Sequence, residues 1–276
     1  MSKTVLITGC SSGIGRLLAV RLHEQGHRVY ASGRSLEKIQ TLIDLGINPL
    51  LLDVTSSSSI EDAVATIHRN GDQVDWLINN AGYGAMGPLA EMPQSEVERQ
   101  FATNVYGPLA LIRALVPDLK SRGGRVINIG SVSGILVTPF SGIYCATKAA
   151  LHAASDALRM ELAPFGIDVI VVQPGAIESE FGSNAEASLG RTLRPDSLYL
   201  GVKDAILKRA RASQQNPTST EDFVATLITV LEQKHPQAVV RAGNGSRLFP
   251  AMAHWIPIPV RDWMLKRTFG LNRVLR

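Results

Sequence analysis

Short apolar runs alternate with amphipathic segments over the first 175 residues of the chain. Runs such as Val5-Leu6-Ile7 and Val169-Ile170-Val171-Val172 are continuous, which is typical of strands covered on both faces. Strands that alternate with helices form parallel sheets, so we expect an α/β fold with a single doubly wound, Rossmann-type sheet and helices on both faces. The predicted strands are 4–8, 28–32, 49–53, 74–79, 125–130 and 168–173, and the predicted helices lie near 14–25, 36–45, 57–69, 95–118 and 142–163.

The pattern loosens after residue 175. Glycine, serine and asparagine are frequent up to about residue 195, and a long irregular stretch in an α/β domain is typical of a flap, here about 176–215. A polar helix is predicted at 197–213 within it. A further helix at 220–234, with Ser219 or Thr220 as N-cap, leads to a short strand at 238–240. We therefore expect one Rossmann-type domain over 1–245.

Residues 246–276 form a C-terminal extension with its own composition. Its tryptophans and other apolar residues are interrupted by prolines, which prevent a membrane-spanning helix. The extension could rest on a membrane surface or cover the mouth of a substrate site. The simpler interpretation is that it packs against its own domain or a partner subunit. It carries one acid, Asp262, and six cations, so its net charge is +5 and the rest of the chain sums to −1; the cations are Arg247, Arg261, Lys266, Arg267, Arg273 and Arg276.

Composition narrows the class of protein. The 276 residues are 45% apolar and 19% charged, as expected for a globular protein with one large core. Cys10 and Cys145 cannot build a disulfide framework, so we expect a reducing, cytoplasmic location. The short apolar run near the N-terminus predicts neither a signal peptide nor a membrane span. No basic stripe interleaved with aromatics indicates nucleic-acid binding, and no metal site is expected.

Three glycines follow the first predicted strand. Gly9, Gly13 and Gly15 are spaced four and two apart before an amphipathic helix. Bare backbone at these positions can approach a pyrophosphate while the helix N-terminus points N–H groups at it. The spacing differs from G-x-G-x-x-G, whose last position would be Leu18. We interpret the loop as a dinucleotide site, with a simple turn as the alternative.

The corner after the second predicted strand bears on the choice of cofactor. An acid there would bind ribose hydroxyls, whereas an arginine would bind a 2′-phosphate. The strand leads into Gly33-Arg34, and the nearby Glu37 lies in a first helical turn, where the helix dipole explains it. With Arg34 at this corner and Arg16 beyond the glycine loop, we expect NADP(H), with NAD(H) as the alternative. Either arginine could instead be a solvated surface residue.

Tyr144 and Lys148 stand one turn apart on the helix predicted over 142–163. Residues at i and i+4 share a helix face, so an ammonium is expected beside a phenol. A nearby cation favours phenolate, and we expect Lys148 to lower the pKa of Tyr144 from its usual value of roughly 10. Such a phenol can exchange a proton with an alcohol oxygen while a cofactor handles the hydride.

Further motifs accompany these residues in a fixed order. They are Thr8 to Gly15, Asp53-Val54-Thr55, Asn79-Asn80-Ala81-Gly82, Asn104, Ser131, Tyr144, Lys148 and Pro174-Gly175. In this order they resemble the pattern of the short-chain dehydrogenase/reductase family over residues 3 to 180. The sequences at 8–13, 79–84 and 155–162 look like the branch with steroid and retinol dehydrogenases, bacterial NADP-dependent aldehyde reductases and acyl-dihydroxyacetone phosphate reductases. The resemblance implies an oxidoreductase that acts on a CH-OH group with NAD(P) as acceptor.

The resemblance also implies roles for single residues. Ser131 would polarise the substrate carbonyl, with Ser133 left as a turn serine, and Tyr144 would transfer the proton. Lys148 would hold the nicotinamide ribose, and Asn104 would disturb its helix and hold a water that links Lys148 to solvent. The expected cofactor residues are Gly9, Ser11, Ser12, Gly13, Ile14, Gly15, Arg34, Asp53, Val54, Asn80, Ala81, Gly82, Tyr144, Lys148, Pro174, Gly175, Ile177 and Ser179.

The residues expected near the substrate are mostly apolar. Leu136, Phe140 and Phe181 join Ser131 and Tyr144 as candidate substrate-binding residues. They favour an apolar aldehyde, ketone or alcohol, of retinoid or steroid type, although they could be ordinary hydrophobic residues under a flap. An acyl-dihydroxyacetone phosphate would need cations near the flap, for which Arg191 and Arg194 are the candidates.

Two other functions remain open at this point. An NADP(H)-binding redox sensor would keep the glycine loop without turnover, and a scaffold using the basic extension would bind no cofactor. The complete set of proton-transfer residues favours an enzyme over both. By resemblance, we also expect a homo-oligomer, a dimer or tetramer, paired through the helices near 95–118 and 142–163.

Overall fold

The computed structural model describes residues 2–273 and contains one seven-stranded parallel sheet. Its order is β3-β2-β1-β4-β5-β6-β7, and every neighbouring pair is parallel. The direction of winding reverses between β1 and β4, which places a crevice at the carboxyl ends of these strands. The strands are β1 (Thr4–Ile7), β2 (Arg28–Gly33), β3 (Asn48–Leu51), β4 (Trp76–Asn79), β5 (Arg125–Ile129), β6 (Asp168–Pro174) and β7 (Val239–Ala242).

Helices cover both faces of the sheet, as predicted. One face packs against α1 (Gly13–Glu24), α2 (Gln40–Asp44) and α10 (Thr220–Leu231). The other packs against α3 (Ser57–Arg69), α5 (Gly107–Arg122) and α6 (Gly142–Leu162). The continuous apolar runs of the strands are therefore buried from both sides, which confirms the doubly wound fold.

Several predicted boundaries are wrong. The helix predicted over 36–45 has α-helical geometry only in α2, after a 3-10 turn at Glu37–Ile39, and β3 ends at Leu51. The helix predicted over 197–213 is reduced to α9 (Lys203–Ala210) between two 3-10 turns. Ser219 does cap α10, since its Oγ accepts a hydrogen bond from the Asp222 N–H at 3.0 Å.

The helix predicted over 95–118 is not continuous. It consists of α4 (Gln94–Phe101), a π-helical turn at Ala102–Tyr106, and α5. Asn104 lies in this turn, and its Nδ2 donates to the Tyr83 carbonyl at 2.9 Å and to Thr147 Oγ1 at 3.0 Å. Its side chain thus bonds to neighbouring elements, which confirms that Asn104 marks a disturbed helix.

The flap has more structure than its composition suggests. Two short helices, α7 (Phe181–Ala187) and α8 (Leu189–Thr192), precede α9. Together with residues from other elements, they form a third apolar cluster outside the two cores of the sheet, which we call the cover cluster. Its buried members are Met86, Phe140, Tyr144, Ala185, Leu189, Val202, Ile206, Ala210 and Phe269.

The C-terminal extension forms two further helices, α11 (Leu248–Trp255) and α12 (Ile258–Thr268). Phe269 joins the cover cluster, whereas Trp255 and Trp263 keep 77% and 61% of their surface exposed. The extension is therefore packed against the domain in part, through Leu265, Phe269 and Leu271, while its two tryptophans face solvent. Within residues 2–273, no helix combines the length and apolar character needed to cross a bilayer.

Candidate active site

Hydrogen bonds join the loops that follow β1 and β4. Thr8 Oγ1 accepts the N–H groups of Asn80 and Ala81 at 3.0 and 2.9 Å. Asn80 Nδ2 in turn donates to the carbonyls of Thr8 and Gly9 at 2.9 and 3.1 Å. The side chains of Thr8 and Asn80 therefore hold the glycine loop in place.

The glycine loop has the shape required for a dinucleotide. Gly9 has a φ of +73°, and a Cβ there would lie 2.9 Å from the Ala81 Cα. A Cβ at Gly15 would overlap Asn80 Nδ2 and the Gly9 carbonyl. The N-cap of α1, Ser12, makes no side-chain cap and the first turn has no acid. The N–H groups at the start of α1 are thus available to an anion, and the loop fits a pyrophosphate.

The corner after β2 is cationic. Arg34 is exposed and makes no hydrogen bond to any residue that the structure describes, whereas Arg16 Nη2 donates to Thr41 Oγ1 at 2.8 Å. Asp53 lies close by. Burial acts to raise its pKa, but hydrogen bonds from Thr55 and the charge of Arg34 bring the pKa below the usual value. Arg34 is the better placed of the two arginines for a 2′-phosphate.

The remaining expected cofactor residues lie at the carboxyl edge of the sheet. Ser11 is exposed beside the half-buried Ile14, and Val54 packs against Gly107 at the start of α5. Gly82 lies against Asn104 Oδ1 and Lys148 Nζ. Pro174, Gly175, Ile177 and Ser179 follow at the end of β6, where a Cβ at Gly175 would overlap the Asn244 carbonyl.

The four expected catalytic residues come together beside this edge. Tyr144 and Lys148 lie on the inner face of α6, and Lys148 Nζ is 5.9 Å from the centre of the Tyr144 ring. The same Nζ donates to the Ile129 carbonyl at 2.7 Å. Asn104 reaches Thr147 on α6, and Ser131 lies close enough to the Tyr144 phenol to lower its pKa. The four residues expected from the sequence are therefore close together in the fold.

The expected effect of Lys148 on Tyr144 is wrong. Burial raises the pKa of Tyr144 to about 12, against the smaller lowering effect of Ser131. Burial also lowers the pKa of Lys148 to about 8. Both side chains are more than nine-tenths buried, and loss of hydration favours the neutral form of each. The spacing of the two residues predicted their proximity but not their exclusion from water.

Ser131 is held by a residue that the sequence did not single out. Its N–H donates to His152 Nε2 at 3.4 Å, and its Oγ accepts the N–H of Ser133 at 3.1 Å. A Cβ at Gly130 or Gly134 would overlap the His152 ring. Burial, followed by the charge of Lys148, lowers the pKa of His152 to about 4, so the ring is a neutral acceptor. The sequence did contain one indication of this role, since His152 lies one helical turn beyond Lys148.

The flap closes over the phenol. Phe181 packs on Tyr144 with ring centres 5.2 Å apart, and Phe140 is buried in the same cluster. Leu136 is also buried. Phe140 has a φ of +65°, an unusual value for a residue with a side chain. Two of the expected substrate residues, Phe140 and Phe181, therefore lie beside Tyr144 under the flap.

The two arginines expected for a substrate phosphate have other partners. Arg191 Nε lies 2.7 Å from Glu96 Oε1 and ties α8 to α4, while Arg194 pairs with Asp196 at 2.6 Å. A different cation lies near the phenol. Arg209, on α9, is 8% exposed and donates from Nε to Thr138 Oγ1 at 2.6 Å. It was hidden within a helix whose composition indicated a solvated face.

Comparison with known proteins agrees with this geometry. The family model described as short chain dehydrogenase matches residues 3–189. A 3-ketodihydrosphingosine reductase of Bacteroides thetaiotaomicron is 33% identical over 271 residues, which cover 97% of this chain and 98% of the relative. An NADPH-dependent 1-acyldihydroxyacetone phosphate reductase of Schizosaccharomyces pombe is 33% identical over 251 residues, covering 90% and 81%.

A solved structure extends the likeness to the whole fold. A short-chain dehydrogenase from Streptomyces avermitilis superposes with a TM-score of 0.80 at 29% identity, covering 100% of this chain and 98% of that one. The glycine loop, the buried Tyr144 and Lys148 and these matches lead to one assignment. The chain is an oxidoreductase that belongs to the short-chain dehydrogenase/reductase family.

Proposed function

We propose that the protein transfers a hydride between NADP(H) and a carbonyl or alcohol of an apolar substrate. The observation that carries this proposal is the convergence of Ser131, Tyr144 and Lys148 beside a glycine loop that fits a pyrophosphate. When bound, the reduced nicotinamide supplies hydride to the substrate carbonyl carbon.

The residues of the chain supply the proton and position the carbonyl. Ser131 and Tyr144 hold the carbonyl oxygen, and charge that develops there is stabilised by their hydroxyl groups. Tyr144 donates the proton, and Lys148 and Asn104 help to replace it. Phe181 and the rest of the cover cluster keep water away from this exchange.

The protonation state of Tyr144 suits its proposed role as the acid in the reductive direction. With a pKa of about 12, Tyr144 carries its proton at neutral pH and is ready to act as an acid. Oxidation of an alcohol would need the phenolate, which burial disfavours. Both relatives reported above are named as reductases.

Two observations support NADP(H) as the cofactor. The corner after β2 offers the unpaired Arg34 and no carboxylate among the residues of β2 and the turn that follows. The Schizosaccharomyces pombe relative is NADPH-dependent by name. An arginine can bind a 2′-phosphate with charge-assisted hydrogen bonds, which NAD(H) cannot receive.

The substrate is proposed to be an aldehyde or ketone with an apolar body. Phe140 and Phe181 give Tyr144 apolar neighbours, and Leu136 is buried as well. The names of the two relatives include a ketodihydrosphingosine and an acyldihydroxyacetone phosphate. A lipid carbonyl suits such a site better than a small polar one.

The C-terminal extension is proposed to contact an anionic membrane surface. Trp255, Ile258 and Trp263 are exposed on α11 and α12, next to Arg261 and Arg267. Exposed aromatics with neighbouring cations suit the interface of a bilayer. The protein is otherwise proposed to be cytoplasmic, in agreement with Cys10 and Cys145 as buried free thiols. It is also proposed to pair with a second copy of the chain through α5 and α6.

The role of Tyr144 is tested by Tyr144→Phe. The phenylalanine ring keeps the packing on Phe181 but has no proton to give, so kcat/KM for an aldehyde should fall about 10²- to 10⁴-fold with NADPH affinity nearly intact. Steady-state rates and NADPH fluorescence titrations measure both. Tyr199→Phe, beside Phe140 in the same cluster, is the control and should keep most activity. Retention of most activity in Tyr144→Phe would refute the assignment.

The pH dependence of reduction should follow Lys148. Its protonated form is the active one, and its pKa is lowered to about 8, so kcat/KM should be flat below pH 8 and fall above it. Tyr144 stays protonated over this range. In Lys148→Arg the charge persists, so the fall above pH 8 should disappear even if activity is lower. A wild-type profile that stays flat to pH 10 would contradict this role.

Cofactor choice is tested by Arg34→Asp. The change removes the cation and adds a carboxylate that can accept ribose hydroxyls, so the ratio of kcat/KM for NADPH over NADH should drop by about tenfold to a hundredfold. The matched control is Arg69→Asp at the exposed end of α3, which should leave the ratio unchanged. An unaltered ratio in Arg34→Asp would exclude Arg34 from 2′-phosphate binding.

Membrane contact is tested by co-sedimentation with phosphatidylglycerol and phosphatidylcholine vesicles. Wild type should sediment with the anionic vesicles only, and Trp255→Ser with Trp263→Ser should remove most of that binding. The double variant Leu36→Ser with Leu45→Ser, which changes two exposed leucines elsewhere, should bind as wild type does. Equal sedimentation of all three proteins would overturn the proposal.

A further inference from the structure

Arg209 is a cation buried in the cover of the active site. It lies on α9 with 8% of its surface exposed, between Ile206 and Ala210 of the cover cluster. Burial lowers the pKa of its guanidinium, but arginine remains charged in proteins. A buried charge is costly unless it is paired and hydrogen-bonded.

The described contacts of Arg209 do not neutralise it. Its Nε donates to Thr138 Oγ1 at 2.6 Å, and that hydroxyl also lies 2.8 Å from Ser141 Oγ. Among residues 2–273, no carboxylate forms an ion pair with Arg209, and its Nη1 and Nη2 make no hydrogen bond. The hydroxyl partner is neutral, so most of the donor capacity of the guanidinium is left over.

The other arginines of the flap show the contrast. Arg191 pairs with Glu96, Arg194 with Asp196, and Arg211 with Glu186. Each of these three is at least 47% exposed in its side chain and could be hydrated without a partner. Arg209, the buried cation, is the one that lacks an acidic partner within the described chain. Folding stability alone would favour the opposite arrangement, because a buried charge needs a counterion more than an exposed one does.

The position of Arg209 points to the substrate. Its charge reaches the Tyr144 phenol, where it acts to lower the pKa. Its partner Thr138 lies between Leu136 and Phe140, two of the expected substrate residues, and not in the glycine loop. The surroundings are otherwise apolar. One cation in an apolar cover matches a ligand with one anionic group and an apolar body.

We propose that Arg209 binds an oxyanion, a carboxylate or a phosphate, on an otherwise apolar carbonyl substrate. The substrate class is then an anionic amphiphile, and a substrate with a cationic head group is disfavoured. This inference rests on the proposed function and refines its substrate. Guanidinium suits the role because its planar donors match both carboxylate and phosphate.

The test compares three aldehydes with the same chain: decanal, 10-oxodecanoate and 10-oxodecyl phosphate. Wild-type kcat/KM for the better anion should exceed that for decanal by about tenfold to a hundredfold, the range for one charge-assisted hydrogen bond. The two anions distinguish a carboxylate from a phosphate site. In Arg209→Gln, the ratio of kcat/KM for the anion to kcat/KM for decanal should fall to about one. Arg209→Lys keeps a positive charge and should restore part of the preference for the anion.

Arg211→Gln is the matched control. Arg211 lies two residues away, is exposed and has its own acid, so this variant should keep the wild-type ratio. Two results would overturn the inference: a wild-type ratio near one, or equal loss for decanal and the anions in Arg209→Gln. The second result would mean that Arg209 acts through Tyr144 and not on a substrate anion.

Binding separates this inference from the proposed function. If no aldehyde is reduced, calorimetry with decanoate, decyl phosphate and decanol in the presence of NADPH still tests Arg209. Tighter binding of an anion than of decanol, lost in Arg209→Gln, would support the inference although turnover had failed. Equal or absent binding of the three would refute it. If the glutamine variant does not fold, the wild-type affinity ratio decides.

Discussion

Exclusion of water from Tyr144 and Lys148 is the constraint on which the rest of the site depends. Each side chain is more than nine-tenths buried, and each is pushed toward its neutral form. The phenol holds its proton firmly, whereas the amine comes within reach of neutral pH. A buried pair of this kind keeps the tyrosine as an acid and makes the lysine the group whose charge changes first.

Several elements of the fold contribute to the burial of Tyr144 and Lys148. The sheet carries the Ile129 carbonyl, which accepts from Lys148 Nζ, and the π-helical turn of Asn104 packs on α6 through Thr147. Gly82 leaves room for Asn104 and Lys148 on the same side. The flap and Phe269 complete the cover. The burial of Tyr144 therefore involves segments far from it in sequence, including the end of the C-terminal extension.

The sequence predicted what depends on local pattern and on motif order. Buried strands, the α3 boundaries and the pairing of Tyr144 with Lys148 follow from periodicity and spacing. The flap helices were missed because their apolar residues are few and become buried only through tertiary contacts with other segments, such as Met86 and Phe140. Arg209 was missed for a related reason, since a polar helix predicts solvated charges unless tertiary burial is known. The sign of the Tyr144 shift was wrong because spacing gives distance but not hydration.

The central claim is that burial controls the charge of Lys148, and its titration measures this most directly. Protein labelled with ¹³C-lysine can be followed by NMR between pH 6 and pH 11, with Lys148→Arg to identify the signal. The account predicts a midpoint of about 8 for Lys148, well below the exposed lysines. A midpoint at the usual value of about 10.4 would contradict it.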